Sequence, residues 1–177
     1  LPRELGGKRA KRIAVGEATM RTGDAARAAA LAQVRNDVRR AYYDVLVAGA
    51  KRIVLRDLRD LAQRTRDTAQ TRFDAGDAPR LEVVQADLAL ATAETDARTA
   101  DGLMTAARAR LNALLGQPLE TVQTLSTPID AGGPVAVETA LTRARADSTE
   151  LAVLDRQIEE QRATLALARA FRTPDVT

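Results

Sequence analysis

The sequence lacks cysteine, histidine and tryptophan, and has only two tyrosines and two phenylalanines among its 177 residues. Without His or Cys, the usual ligands of zinc, copper and iron are missing. The Ser-His and Cys-His nucleophile pairs are excluded with them. No disulfide can form, so cysteine usage does not report a compartment. Proline is also scarce: between Pro2 and Pro79 there is none. No apolar run approaches the length of a membrane-crossing helix. Large residues are too few to fill a compact core, whereas small apolar ones suit helices that approach closely along seams. Asp and Glu are present but scattered among arginines, so the composition points away from an enzyme and calls for no cofactor or resident metal.

The charge is nearly balanced, at +3. The one basic cluster is Lys8, Arg9, Lys11 and Arg12, read as a solvated stretch near the chain start. Nucleic-acid binding would need a basic face with stacking aromatics, and neither is visible.

What the chain does have is helix-forming sequence. Ala, Arg, Leu, Glu and Gln dominate from Lys8 to Phe73, predicting one helix over 9–73, on the order of 95 Å long. Leu31, Val34, Val38, Ala41 and Val45 make a stripe at spacings of 3 and 4, with Tyr42, Leu46 and Ile53 beside it. Leu55, Leu58 and Leu61 continue the apolar surface. Mixed with alanines, these imply two lateral seams, as in a stave of a helical tube; the periodicity alone fits an ordinary antiparallel coiled coil equally well.

Gly76 and Pro79 break the helix within 73–79. A tight turn between two long helices makes them antiparallel and leaves the turn exposed at the far end of the hairpin. Pro79 suits the first turn of the second helix. Asp77 or Ala78 is expected at its N-cap, and Glu82 sits where negative charge is favoured. Leu81, Val84, Leu88, Ala91, Leu103, Ala107, Leu111 and Leu114 are expected to carry the second seam. Gly116 and Pro118 stop that helix. Residues 117–135, with Pro128, Gly132, Gly133 and Pro134, form a connector. A short helix follows at about 136–146. A final helix, capped by Ser148 with Glu150, covers about 149–171 through Leu151, Leu154, Ile158, Leu165 and Ala168. Pro174 ends it. The fold class is therefore all-α: a long antiparallel helical hairpin over 9–116, a connector with a short helix over 117–148, and a further helix over 149–177. Given its length, that final helix is expected alongside the first part of helix 1.

Four segments resemble one family. Ala41-Tyr42-Tyr43-Asp44-Val45-Leu46 is similar to the aromatic patch on a descending helix of the outer-membrane efflux proteins, the TolC-like exit ducts of bacterial tripartite pumps. Arg72-Phe73-Asp74-Ala75-Gly76 followed by Leu81-Glu82-Val83-Val84-Gln85-Ala86 resembles that family's helix-turn-helix tip. Leu111-Asn112-Ala113-Leu114-Leu115-Gly116-Gln117-Pro118 resembles its Leu-x-x-Leu-x-Gly-x-Pro helix end. Glu138-Thr139-Ala140-Leu141 and the run from Ala166 to Pro174 resemble the opening of its second internal repeat. Leu5-Gly6-Gly7-Lys8-Arg9 and Arg12-Ile13 are similar to the heavy-metal (CzcC-like) branch. One departure is Pro79, where the family usually has a capping Ser or Thr.

The resemblance implies that residues 1–8 follow a membrane strand pair, that 149–177 runs toward a second pair, and that the chain is the periplasmic segment between them. It implies a homotrimeric tube in the outer membrane, touching the membrane only through segments outside this chain. It also implies a passive conduit that docks a periplasmic adaptor and, through it, an inner-membrane transporter. The docking residues would be Phe73, Asp74, Gly76, Asp77, Ala78 and Pro79. Two other readings stand beside it: the hairpin of an adaptor, and a generic coiled-coil spacer. An adaptor should pass from its second helix into a β-rich half, whereas this chain continues into more helix.

Overall fold

In a computed structural model of the chain, residues 6–122, 124–125 and 135–173 are described. The expectations at Pro2, Leu5, Pro128, Gly132, Gly133, Pro134 and Pro174 lie outside them. All regular structure among the described residues is helical: α1 at Lys8–Asp74, α2 at Arg80–Leu114, α3 at Val137–Ala146 and α4 at Thr149–Ala170. The 67 residues of α1 are one unbroken helix, through Gly16, Gly23 and Gly49. Two compact units form, one from Leu1–Arg35 with Gly133–Thr177 and one from Asn36–Gly132.

In the second unit, α1 and α2 form an antiparallel hairpin. Contacts across it keep nearly constant register: Arg72 meets Glu82, Arg66 meets Asp87 and Arg56 meets Asp101. Toward the connector, Ala41, Val45, Met104 and Leu111 form an apolar cluster, with Val38, Tyr42, Ala48, Ala107 and Leu125 packed on it. Near the turn, Ala69, Val83 and Ala86 form a second, smaller one. Between the clusters, Ala97 and Ala100 are buried on α2.

Ala107 and Leu111 pack as expected, but the rest of the expected α2 stripe is corrected. Leu81, Val84 and Leu88 are 63%, 54% and 70% exposed, while the neighbouring Val83 and Ala86 are buried. Leu103 is exposed and Met104 is buried beside it. Ala91 is exposed as well. One residue along a helix rotates the side chain by about 100°, so the packed stripe lies one position away from the heavy apolar one. Interaxial distance depends on the side chains at the contact, and a Cβ-only residue lets two backbones come close. The same holds on α1: Val38, Ala41 and Val45 are packed, but Leu31 and Val34 are more than half exposed.

In the first unit, α4 lies antiparallel on the opening residues of α1. The Thr19 hydroxyl donates to Glu160 at 2.8 Å, Arg21 lies 4.0 Å from Glu159, and the Lys8 ammonium sits 5.4 Å above the Phe171 ring. Ala18 and Ala170 are the buried apolar residues of this pair. Leu151, Leu154, Ile158 and Leu165, expected to be its stripe, are about half exposed. Half-buried Val153, Ala163 and Leu167 line the packed face instead, again offset from the heavy residues. Lys8, expected to be solvated, is buried; its stem packs inside while its charge meets the aromatic face, as long cationic side chains do. Ser148 caps α4 as expected, its hydroxyl accepting from the Leu151 amide at 3.2 Å.

Candidate functional site

The turn between α1 and α2 is built by backbone chemistry. Helix ends leave carbonyls without partners. Here the Asp77 amide donates to the Arg72 carbonyl at 2.9 Å and the Gly76 amide to the Phe73 carbonyl at 2.9 Å. That is the Schellman arrangement, which needs a left-handed residue after the helix. Gly76 supplies it, at φ +82°. A side chain at this φ would be strained, although a Cβ there would meet no atom within 4 Å. Gly76 is thus constrained by its own backbone and not by crowding, and its outer face is open.

The cap of α2 differs from expectation. Neither Asp77 nor Ala78 caps it. Pro79 is the N-cap, at φ −74° and ψ 151°, with no side-chain cap bond. The Asp77 amide closes α1, and the cap position falls two residues later, on a proline with no side-chain acceptor. The Glu82 amide is satisfied by the Pro79 carbonyl at 3.0 Å. Proline is compatible here because the position needs its carbonyl, not its missing N–H.

The six expected tip residues sit in this one turn. Asp74, Gly76, Asp77 and Pro79 are exposed and Ala78 is half-buried. Phe73 is 37% exposed, and Asp74 accepts a hydrogen bond from the Gln70 amide group at 2.7 Å. Two residues outside that set belong with them. Arg72 and Glu82 form an ion pair at 3.0 Å that ties the two helices directly behind the turn. A base just before the break and an acid just after it was the available signal. Below the pair runs a groove of about 690 Å³, floored by Ala69, Ala86 and Ala89 and edged by Arg64. The threonines beside it turn their hydroxyls to their own helix: Thr65 and Thr68 each donate to the carbonyl four residues back. They leave methyl groups for the surface. Further along, Asp87 hydrogen-bonds the Arg66 guanidinium at 2.9 Å and, with its charge, raises the Arg66 pKa above the ordinary arginine value.

The far end of α2 closes the same way, around Gly116 at φ +66°, with the Gln117 amide donating to the Asn112 carbonyl at 2.9 Å. Here the turn is filled. Asn112 is 0% exposed, and its side-chain amide donates to the Leu119 and Thr121 carbonyls, both at 2.9 Å. Tyr42 packs on the neighbouring apolar cluster and meets Tyr43 edge to face at 5.7 Å. Tyr43 is 45% exposed, so only one of the two aromatics serves the seam.

Among the described residues no three His, Cys, Asp or Glu side chains gather to hold a metal ion. No helix among them is long and apolar enough to cross a membrane.

Residues 1–117 match the outer membrane efflux protein family. The whole chain is 26% identical to the cobalt-zinc-cadmium resistance protein CzcC of Cupriavidus metallidurans, over 177 residues. The chain spans 42% of that relative's length. No solved structure matches it.

Proposed function

The chain belongs to the outer membrane efflux protein family, and we propose that it is the periplasmic part of an exit duct in a tripartite efflux pump. In this reading it works as a passive conduit in a homotrimer. Its tip, with Phe73, Asp74, Gly76, Asp77, Ala78 and Pro79, docks a periplasmic adaptor that links the duct to an inner-membrane transporter. The similarity to a cobalt-zinc-cadmium resistance protein supports divalent metal cations as the exported class. No bond is made or broken by the duct, and the energy comes from the transporter.

The observation that carries the docking reading is the bare turn. Gly76 adopts a conformation that other residues resist, and among the described residues no atom lies within 4 Å of where its side chain would begin. The large apolar residues turned away from each helix pair support the assembly reading. Val47, Val54, Leu58 and Leu61 on α1 and Leu81, Val84 and Leu88 on α2 are all about half exposed or more. Stripes of this size along helices that already have one neighbour suit further helices on the remaining sides. The adaptor and spacer readings do not account for the family match.

Two substitutions test the docking. Gly76→Asn keeps the turn, because Asn tolerates a left-handed backbone, but adds a side chain to the surface. Gly76→Val disturbs both. Helicity, adaptor binding and cellular metal resistance are measured for each in the full-length protein. Gly76→Asn is expected to keep helicity while weakening adaptor binding and resistance. Normal binding and resistance in both variants would reduce Gly76 to a plain turn residue.

A further inference from the structure

One flank of the α1–α2 hairpin carries a run of charge whose pairing stops at a definite place. Arg56, Arg59, Glu94, Arg98 and Asp101 line one cleft between the helices. Each base there has an acid: Arg56 meets Asp101 at 2.8 Å, Arg59 meets Asp60, and Arg98 lies 3.7 Å from Glu94. Nearer the turn, Arg66 follows seven residues after Arg59 and meets Asp87 at 2.9 Å. A seven-residue step returns to nearly the same face of a helix, and a four-residue step stays close to it.

Toward the connector the same flank continues with Arg52, four residues before Arg56, and Arg108, seven after Asp101. Both are half-buried. Among the described residues neither guanidinium has an ion pair or a hydrogen bond. Asp101 is taken by Arg56, and Asp44 lines another cleft beside Lys51. Asp57 stands five residues after Arg52, which turns it about 140° away around the helix. The Arg56–Asp101 pair sets the level of Arg52 near Thr105, so Arg108 stands about 5 Å from it along the axis. Two like charges facing one another repel. Each also carries its Nε into the interior without an acceptor, which costs stability and calls for a reason. The stems, meanwhile, are held against the seam, so ordering the heads around a ligand costs little further freedom.

We propose that Arg52 and Arg108 form a two-pronged oxyanion site, which takes one phosphate or carboxylate group between its guanidinium heads. The outer Nη groups present planar forks that match such oxygens, while the buried Nε atoms fix the stems. The same chemistry can come from a free anion or from an acidic side chain of a second copy of this chain. The site holds whether or not the protein is a duct.

The test follows the arginine Nε–H signals of the 177-residue chain by NMR, assigned through Arg52→Gln and Arg108→Gln. Inorganic phosphate is exchanged for chloride at fixed ionic strength, so that screening stays constant. The Arg52 and Arg108 signals are expected to shift together along one saturable curve, while Arg56 and Arg66, which already hold carboxylates, stay nearly still. Either Gln variant is expected to weaken phosphate binding at the remaining arginine by about tenfold, with unchanged backbone amide signals certifying the fold. A dilution series without phosphate tests the second source. If the same two signals move with protein concentration, and cease to in either variant, the oxyanion is a carboxylate of a second copy. Two signals indifferent to both phosphate and protein concentration, or all arginines shifting alike, would overturn the proposal, and the wild-type titration decides this even if a variant does not fold.

Discussion

The two antiparallel helix pairs of this protein both bury alanine, yet they are held in different ways. The α1–α2 hairpin is joined by a tight turn, has an apolar cluster near each end and is crossed by three ion pairs. The pairing of α4 with the start of α1 joins residues as far apart as Thr19 and Glu160. Among the described residues its buried apolar ones are Ala18 and Ala170, and its cross-contacts include a hydroxyl bond, a long ion pair and a cation over a ring. A local turn closes the hairpin at small entropic cost, whereas the second pair closes a long loop for little apolar burial. The hairpin has the larger apolar seam, and α4 is held to α1 by a thinner one.

Matched alanines break or confirm this contrast. Ala100 in the hairpin and Ala18 in the other pair are each 2% exposed. Ala100→Leu forces extra volume between helices pinned on both sides and should destabilise by about 2–3 kcal/mol, read as a lower urea midpoint. Ala18→Leu should cost clearly less in global unfolding, because α4 can step away, and should instead speed amide exchange across α4. Equal losses for the two variants would mean that α4 is held as firmly as the hairpin.

These alanines also mark the limit of what the sequence discloses. The helices, their ends and their turn glycines follow from local chemistry, so α1, α4, Gly76, Gly116 and the Ser148 cap were all legible. The packed faces were legible only in part: Val38, Ala41, Val45, Ala107 and Leu111 pack as expected, but the stripes near the turn and on α4 do not. Hydrophobic periodicity weighs Leu81, Val84, Leu88, Leu154 and Ile158 most heavily, and it finds the heaviest stripe, whichever neighbour that stripe faces. Alanine carries little weight on such a count although it sets how closely two backbones approach. The tip was legible as a turn because only a left-handed residue closes a helix in that manner. Its second half was misread, since capping preference favoured Asp77 and gave no hint that Asp77 was already engaged in ending α1.

At the connector end, one polar side chain works beside the apolar cluster. Asn112→Ala removes both donors to the Leu119 and Thr121 carbonyls and opens space in a fully buried position. A loss of about 2 kcal/mol is expected, with new protease cleavage between Pro118 and Leu125. Asn112→Asp should be at least as harmful, because a carboxylate would set acceptors against two carbonyl oxygens. If Asn112→Asp were tolerated and the connector stayed protected, Leu125 and its apolar neighbours would be the true anchor.

The smallest expected effect sharpens the other side of the contrast. The Glu159 carboxylate is held below the usual glutamate range, first by its hydrogen bond from Arg156 at 2.8 Å and then by the charges of Arg156, Arg21 and Arg162, against an opposing push from burial. A folded-state pKa below the unfolded one stabilises the folded chain above the ordinary glutamate pKa, and that contribution is lost as pH falls through the lowered value. The main cause lies three residues away on α4 itself, so it survives if α4 leaves α1. The Arg21 contact, at 4.0 Å, is the part that reports pairing. Following the Glu159 side chain by NMR from pH 7 to pH 3, Arg156→Gln is expected to raise its midpoint toward the ordinary range, and Arg21→Gln to move it much less. A larger shift from Arg21→Gln would show that the α1–α4 contact, and not the helix's own charge pattern, sets the acid sensitivity, and the second pair would then be tighter than its thin apolar seam implies.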